Sequence, residues 1–297
     1  MSQYICVDIG GTSIKHGVLD ENAIIKECNQ TKTEAWLGGA AVLDKVKTIG
    51  KQYKEQYENI EGICISTAGM VDPEEGKIVF AGELMPDYTG TCIKKELEKA
   101  LEMPCEVEND VNCAGLAEYV SGSAKESHIM FCATVGTGIG GCAIVNGRVF
   151  HGASNSACEV GYIPMGDSDF QTLGASSILV RKVAEKKIEP LDMWDGKKIF
   201  ALAEKGDKVC ISAIKEMCDV LGKGLATICY VLNPDTIVLG GGIMVQKKNL
   251  ENEIRDSLNR YLRPILAEHL QVCFAEYGNE AGMVGALYNF QNKCGRK

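Results

Sequence analysis

The feature that most constrains the fold of this 297-residue chain is a glycine turn between two strands near its start. Residues 4–8 are rich in β-branched and aromatic side chains, which is typical of a strand. Gly10 and Gly11 then let the backbone turn sharply and approach a ligand closely. Thr12 adds a hydroxyl and an N–H group for phosphate oxygens, and the Asp8 carboxylate can reach a magnesium ion directly or through water. The pattern indicates a Mg-nucleotide site; the alternative is an ordinary glycine-rich hairpin.

The same layout returns in the second half of the chain. Residues 134–146 again run from a strand through a glycine-rich turn into a strand, and Gly136, Thr137 and Gly138 occupy that turn. Two such hairpins far apart in one chain indicate a duplicated unit. We therefore expect two halves, each of which holds phosphate groups of one nucleotide with its own turn.

Two further features suit a nucleotide. Residues 233–239 have the character of a buried strand, and three glycines follow them. The backbone of Gly240, Gly241 and Gly242 can lie against an adenosine or a phosphate because no side chain is in the way. Lys15 follows the first turn, where it either contacts phosphate or stays solvated.

Strands and helices alternate along most of the chain, which predicts a mostly parallel α/β sheet covered by helices. The length suits two domains, and the second half begins near residue 122.

In their order along the chain, these motifs resemble those of the ROK family (repressors, open reading frames and kinases) of the actin-like ATPase superfamily. The resemblance spans nearly the whole length and rests on residues 8–12, 108–112, 136–138, 157–161, 237–242 and 280–286. It implies a duplicated actin-like (ribonuclease H-like) fold whose two domains enclose a nucleotide and sugar cleft. The small domain would be 1–121 joined by the C-terminal helix 281–297, and the large domain 122–280. The resemblance also implies a homodimer.

Asp110 is the candidate general base. It follows Asn109 at the end of a predicted strand, where an α/β sheet places its ligands. Transfer of a phosphoryl group to a sugar hydroxyl needs a group that accepts the hydroxyl proton. The alternative is that Asp110 only caps the next helix, a common role for Asp. In ROK kinases the matching Asp is catalytic and the preceding Asn binds the sugar, so the resemblance implies both roles here.

The other candidate sugar ligands are implied mainly by the resemblance to the family. Glu159 matches the Glu of the family's Gly-Glu-x-Gly-His signature, which binds sugar hydroxyls. Tyr162 stands where many members have His, and it can still donate a hydrogen bond. Ala68 and Gly69 end a buried strand, where they either line the sugar pocket or pack against the domain.

The chain departs from the family in its zinc loop. A structural zinc site needs about four Cys or His ligands, yet residues 163–174 contain neither residue type. We therefore expect Mg-ATP as cofactor and no zinc. The sequence is similar to the zinc-free branch, whose members act on glucose, β-glucosides or N-acetylmannosamine.

Composition narrows the function classes. The net charge of −9 argues against broad nucleic-acid binding. The 14 cysteines lie mostly in apolar patterns without CxxC pairs, which favours free thiols in a reducing cytosol. Asp8 precedes any apolar stretch, and glycines interrupt the longest apolar region, 129–145, so we expect neither a signal peptide nor a membrane span. The expected location is cytoplasmic.

Three functions remain to be compared. An ATP-dependent kinase for the 6-hydroxyl of a hexose or hexose derivative fits every motif, with glucose or a β-glucoside favoured and N-acetylmannosamine as the alternative. A sugar-responsive repressor would carry a helix-turn-helix domain before the first turn, yet only seven residues precede Asp8. A non-catalytic sugar-binding relative is disfavoured because Asp8 and Asp110 are both present.

Overall fold

The structure, a computed structural model, describes residues 2–295 and divides into two compact units. The first unit consists of residues 2–121, 151–157 and 279–295, and the second of residues 122–150 and 158–278. The short segment 151–157 thus belongs to the first unit although its neighbours in the chain on both sides belong to the second.

Strands and helices follow one another along the chain. The strands are β1 (Gln3–Ile9), β2 (Ser13–Asp20), β3 (Ile25–Lys32), β4 (Ile60–Thr67), β5 (Met70–Asp72), β6 (Lys77–Phe80), β7 (Cys105–Asn109), β8 (Ile129–Val135), β9 (Ile139–Val145), β10 (Arg148–Val149), β11 (Pro164–Met165), β12 (Ser168–Asp169), β13 (Thr236–Gly240) and β14 (Gln271–Phe274). The helices are α1 (Gly39–Gln56), α2 (Ile93–Leu101), α3 (Asp110–Ser121), α4 (Phe170–Gly174), α5 (Ser176–Lys187), α6 (Gly196–Glu204), α7 (Lys208–Leu232), α8 (Lys247–Tyr261), α9 (Pro264–Ala267) and α10 (Ala281–Cys294).

The first unit is built on a five-stranded sheet in the order β3-β2-β1-β4-β7. The β1–β2 and β2–β3 pairs are antiparallel, whereas β1–β4 and β4–β7 are parallel. The C-terminal helix α10 packs on α3 and on β4 of this sheet. Gly62 permits the approach of α10, because a Cβ atom there would lie 2.4 Å from the Phe290 ring.

The second unit repeats this plan. Its main sheet has the order β10-β9-β8-β13-β14, again with antiparallel hairpin strands followed by parallel ones. The strand β8 therefore corresponds to β1, and β13 corresponds to β4. This repetition confirms the predicted duplicated α/β fold. Each unit has its own buried cluster of apolar side chains.

Helix α1 begins at Gly39, because Ala35–Leu37 form a 3-10 turn and Gly38 has a φ of 87°. Helix α8 was missed, although its buried Leu250, Ile254 and Leu258 recur every four residues, because the rest of the segment is polar. Among residues 2–295, a helix with both the length and the apolar character needed to span a bilayer does not occur.

Candidate active site

Asp8 lies at the end of β1, beside Ser66 on the neighbouring strand β4. Ser66 Oγ donates a hydrogen bond of 2.7 Å to Asp8 Oδ1, and Lys15 Nζ lies 3.9 Å from Asp8 Oδ2. Lys15 also donates to the carbonyl oxygen of Asn279 at 3.1 Å. Burial raises the pKa of the Asp8 carboxyl, while the Ser66 hydrogen bond and the Lys15 charge act in the opposite direction. Lys15 is thus held beside Asp8 rather than simply solvated.

The first glycine turn is closed by a backbone hydrogen bond. Gly10 N–H donates to the Ser13 carbonyl at 3.0 Å, which leaves Gly11 and Thr12 exposed at the tip of the turn. Thr33, which directly follows β3 and is fully buried, supports the turn: its Oγ1 donates to the Gly10 carbonyl at 2.6 Å. Its N–H also donates to the Thr12 carbonyl at 3.1 Å. Thr33 was not among the expected residues, because this contact joins positions 23 residues apart.

Asn109 and Asp110 stand where β7 passes into α3. Asn109 Oδ1 accepts hydrogen bonds from the N–H groups of Val111, at 2.9 Å, and Asn112, at 3.1 Å. Asn109 therefore satisfies N–H groups of the first turn of α3, as an N-cap does. Asp110 Oδ1 accepts from Asn109 Nδ2 at 3.0 Å and from Val111 N–H at 2.9 Å.

The carboxyl of Asp110 has an unusual affinity for a proton. Burial, reinforced by the negative charge of Asp8, raises the pKa of Asp110 to about 7, although three hydrogen bonds act in the opposite direction. A pKa near neutrality is the value that suits a general acid or base at physiological pH. Structural ion-pair networks can also shift a pKa, but this carboxyl is shifted by burial and by a second carboxylate.

Glu108, the residue before Asn109, is buried and joined to a histidine. Its Oε1 accepts from Asn109 N–H at 2.8 Å and from Asn112 Nδ2 at 2.9 Å, and its Oε2 lies 2.8 Å from His151 Nε2. The sequence offered no signal for this pair, because the two residues are 43 positions apart.

Ala68 and Gly69 follow β4, as expected. Ala68 N–H donates to the Ile9 carbonyl at 3.0 Å, and Gly69 has a φ of 99°, which favours glycine. The Gly69 carbonyl accepts from Asn109 Nδ2 at 2.9 Å. In the first unit, the structure thus gathers Asp8, Lys15, Ala68, Gly69, Asn109 and Asp110 at the carboxyl ends of β1, β4 and β7.

The glycine turn of the second unit is held by the start of α5. Gly136 N–H donates to the Gly138 carbonyl at 2.9 Å. Ser176 donates to the Gly136 carbonyl from both its N–H and its Oγ, and Ser177 Oγ donates to the Thr137 carbonyl at 2.7 Å. These serines were not among the expected residues. The start of α5 therefore lies against this turn and brings its N–H groups close to it.

Gly240 is the last residue of β13 and pairs with Thr134, and Gly241 and Gly242 follow it beside the same turn. A Cβ atom on Gly241, whose φ is 95°, would be 2.4 Å from the Val135 carbonyl oxygen. Gly242 and Thr137 are among the residues that line a cavity of about 460 Å³ within the second unit. Its other lining residues are Ser176, Ser177, Val180, Asp195, Gly196, Lys197, Phe200, Ile243, Val245 and Gln246. The lining combines apolar side chains, such as Val180, Phe200 and Ile243, with polar ones.

Glu159 and Tyr162 lie in the second unit, on a short 3-10 turn after Cys158, and both side chains are exposed. Gly161 lets this turn pack against β9, because a Cβ atom there would be 2.5 Å from the Ile139 carbonyl oxygen. Across residues 2–295, His, Cys, Asp and Glu side chains form no cluster of three or more suited to a metal ion.

Comparison with known proteins agrees with this geometry. A profile of the ROK family matches residues 4–293. An uncharacterized protein of Clostridium perfringens is 45% identical over 98% of each chain, and a beta-glucoside kinase of Klebsiella pneumoniae is 31% identical over 95% of this chain and 94% of its own. The ROK family glucokinase from Streptomyces griseus, solved in complex with glucose and AMPPNP, superposes with a TM-score of 0.83 at 28% identity. That alignment covers 97% of this chain and 98% of the glucokinase.

The family match covers nearly the whole chain, and the fold of each unit is that of the family's solved members. The chain belongs to the ROK family, with its actin-like ATPase fold.

Proposed function

We propose that this protein is an ATP-dependent carbohydrate kinase that phosphorylates the 6-hydroxyl of a hexose or hexose derivative, with glucose or a β-glucoside favoured. Membership of the ROK family supports the reaction class, and the named relatives are a beta-glucoside kinase and a glucokinase. The observation that carries the proposal is the Asp110 carboxyl, whose pKa is raised to about 7 at the carboxyl end of β7.

Asp110 is proposed as the general base. Near neutral pH a large fraction of this carboxyl is ionised, and it is basic enough to take up a proton. As the sugar hydroxyl oxygen forms a bond to the γ-phosphorus, its proton passes to Asp110. The bond between the γ-phosphorus and the bridging oxygen then breaks, and ADP leaves with the electron pair. Positioning and electrostatics supply most of the remaining rate enhancement.

Asn109, Ala68 and Gly69 are proposed to contribute to the sugar site in the first unit. Asn109 Nδ2 already donates to the Gly69 carbonyl and to Asp110, and its Oδ1 accepts two N–H groups. Asn109 therefore orients Asp110 in this arrangement, and direct sugar binding by its side chain would replace one of these bonds. In the second unit, Glu159 and Tyr162 are proposed as sugar ligands, because their exposed side chains are available to hydroxyl groups.

The proposed nucleotide-binding residues lie on the two glycine turns and beside the cavity of the second unit. In the first unit, the exposed tip at Gly11 and Thr12, with Gly10 and Lys15, suits phosphate oxygens. In the second unit, Gly136, Thr137 and Gly138 would bind phosphate, and Gly240, Gly241 and Gly242 would border the nucleoside. The cavity beside them has Val180, Phe200 and Ile243 for an adenine ring.

Magnesium fits the Asp8 position. Asp8 is a partly exposed carboxylate at the phosphate turn, and Mg²⁺ prefers one or two carboxylates together with substrate phosphates and water. When bound, the ion would neutralise charge on the phosphate oxygens. Asp8 itself would hold the ion, directly or through water, and Ser66 keeps its carboxylate oriented.

A sugar panel tests the proposal. ADP release with Mg-ATP would be measured for glucose, cellobiose as a β-glucoside, and N-acetylmannosamine, with the Asp110→Asn variant as the blank. Turnover with glucose or cellobiose in the parent protein supports the proposal, and a preference for N-acetylmannosamine would reassign the substrate. Absence of sugar-stimulated ADP release across the panel would overturn the kinase proposal. Light scattering of the same sample tests the expected homodimer.

A further inference from the structure

In the segment 151–157 the chain returns to the first unit, where His151 contacts β7, the strand that leads into Asp110. His151 and Ala157 close it, since Ala157 N–H donates to the His151 carbonyl at 3.1 Å. Gly152, with a φ of 70°, makes the turn, and Ser154 and Ser156 share a hydroxyl hydrogen bond of 2.8 Å. The chain then continues directly into Cys158 and Glu159. The side chain of His151 points to β7, where its Nε2 meets Glu108 Oε2 at 2.8 Å.

Glu108 is a buried carboxylate whose two oxygens have different hydrogen-bond partners. Only 1% of its side chain is exposed, whereas a quarter of the His151 side chain is. Its Oε1 accepts from Asn109 N–H and Asn112 Nδ2, so it fixes the backbone and the first turn of α3. Its Oε2 is held by His151, and because a carboxylate only accepts, His151 Nε2 must carry the proton of this bond.

The contacts continue from Glu108 to Asp110. Glu108 Oε1 accepts a hydrogen bond from the Asn109 N–H, and Asn109 Nδ2 donates one to Asp110 Oδ1. We propose that His151 is a positioning residue for Asp110, acting through Glu108 and Asn109. The inference rests on the proposed function, because it takes Asp110 as the group that accepts the sugar proton.

The physical reason is the cost of an unpaired buried acceptor. Without the His151 donor, Glu108 Oε2 would remain buried and lose its bond, and such a group is expensive to leave unsatisfied. The Glu108 carboxylate would then rotate toward other donors or toward water and shift the Asn109 peptide group. A displacement of the order of 1 Å at a reacting group costs about 100-fold in rate.

The experiment compares three variants under saturating Mg-ATP and the sugar with the highest turnover. His151→Ala removes the donor. His151→Gln keeps an N–H group near the position of Nε2. Lys94→Met is the matched control, because Lys94 Nζ donates at 2.7 Å to Glu106, another buried carboxylate two residues earlier on β7. Each variant is measured for kcat, for KM of sugar and ATP, and for thermal midpoint.

We expect His151→Ala to lower kcat about 10–100-fold with the KM for ATP within a few-fold of the parent, and His151→Gln to recover most of that loss. Lys94→Met should lower the thermal midpoint and leave kcat near the parent value. If His151→Ala lowers only the thermal midpoint, as Lys94→Met does, His151 has a purely structural role and the inference is wrong. Should His151→Ala fail to fold, the inference is decided by Glu108→Gln, which disturbs the same bond to His151 and should likewise lower kcat. A folded Glu108→Gln variant with kcat equal to the parent would overturn it.

Different results would contradict the role of Asp110 as the base and the positioning role of His151. If Asp110→Asn keeps parental activity, the assignment of Asp110 as the base fails, whatever the His151 variants do. If Asp110→Asn is inactive and His151→Ala is fully active, only the positioning role of His151 fails.

Discussion

Ser66 donates a 2.7 Å hydrogen bond from its Oγ to Oδ1 of Asp8, across the neighbouring parallel strands β4 and β1. This bond opposes the effect of burial, which raises the pKa of the Asp8 carboxyl. It therefore helps to keep Asp8 ionised at the exposed phosphate turn. The relationship depends on the register of β1 and β4, which pairs these two residues.

Ser66→Ala should weaken the binding of Mg-ATP. A hydrogen bond to a charged group contributes about 1.5–3 kcal/mol, so we expect the KM for Mg-ATP to rise about 10–100-fold. The thermal midpoint should change much less, because the small Ala side chain fits the same place. Thr48→Ala serves as the control, since the Thr48 hydroxyl donates to the Asp44 carbonyl in the preceding turn of α1. An unchanged KM for Mg-ATP in Ser66→Ala would contradict the role given to Asp8.

Asp110→Asn should abolish turnover while sugar binding persists. Asn keeps the size of the side chain and can accept the Val111 N–H bond, but it cannot take up the hydroxyl proton. Loss of a general base typically costs about 10²–10⁴-fold, and we expect kcat to fall by that amount. Sugar affinity, measured by calorimetry, should remain within a few-fold. Turnover close to that of the parent would show that Asp110 has a structural role.

The pKa of Asp110 predicts how activity depends on pH. Its carboxyl is protonated below about pH 7 and ionised above it. The kcat/KM for sugar should therefore increase tenfold per pH unit below pH 7 and level off above it. The profile is measured at constant ionic strength with saturating Mg-ATP. If kcat/KM instead fell only near pH 4, the ordinary range of a carboxyl, the result would contradict this environment for Asp110.

The same shift predicts a stability change with the opposite sign to the activity change. The pKa of Asp110 is 3.8 in an ordinary environment and about 7 in the folded protein. The folded state therefore binds a proton more tightly than the unfolded state, and stability is lost as pH rises from about 4 to 7. Asp110→Asn removes this cost, so the variant should exceed the parent by up to about 4 kcal/mol at pH 8. The difference, from denaturant unfolding, should shrink toward pH 4.

Gly282→Ala tests the contact between α10 and Asp8. A Cβ atom on Gly282 would lie 2.5 Å from Asp8 Cγ, so the carboxylate must move. We expect kcat/KM for Mg-ATP to fall at least tenfold, even though Ala favours an α-helix over Gly by about 1 kcal/mol. Gly285→Ala, three residues later, is the control, because its Cβ would meet the Cys113 carbonyl instead. If both variants lose stability and neither loses specific activity, the position of Asp8 is not critical.

Zinc removal should leave the enzyme active. Residues 163–174 contain neither Cys nor His, so the zinc loop of other family members has no ligands here. After treatment with a zinc-selective chelator, activity in excess magnesium should equal that of untreated protein, and elemental analysis should find no stoichiometric zinc. Loss of zinc and of activity together would show that the prediction is wrong.

The local sequence determined much of this fold. The two glycine turns, the strands around them and the polar residues at strand ends follow from periodicity and from the conformational freedom of glycine, which act over a few residues. The duplicated α/β fold could be predicted because the same strand and turn pattern occurs twice. Helix α8 is not evident from the sequence because most of its residues are polar, and its apolar face consists of only a few buried side chains, among them Leu250, Ile254 and Leu258.

Tertiary structure decided what no short pattern contains. Asn109 Oδ1 accepts the N–H groups of both Val111 and Asn112 in the first turn of α3, whereas Asp110 Oδ1 shares only that of Val111. The raised pKa of Asp110 arises from burial and from Asp8, about a hundred residues away in the chain. His151 meets Glu108 only because the chain returns to the first unit for one short segment. Desolvation and long-range hydrogen bonds depend on which segments pack together, and a residue's own neighbours in the sequence do not specify that.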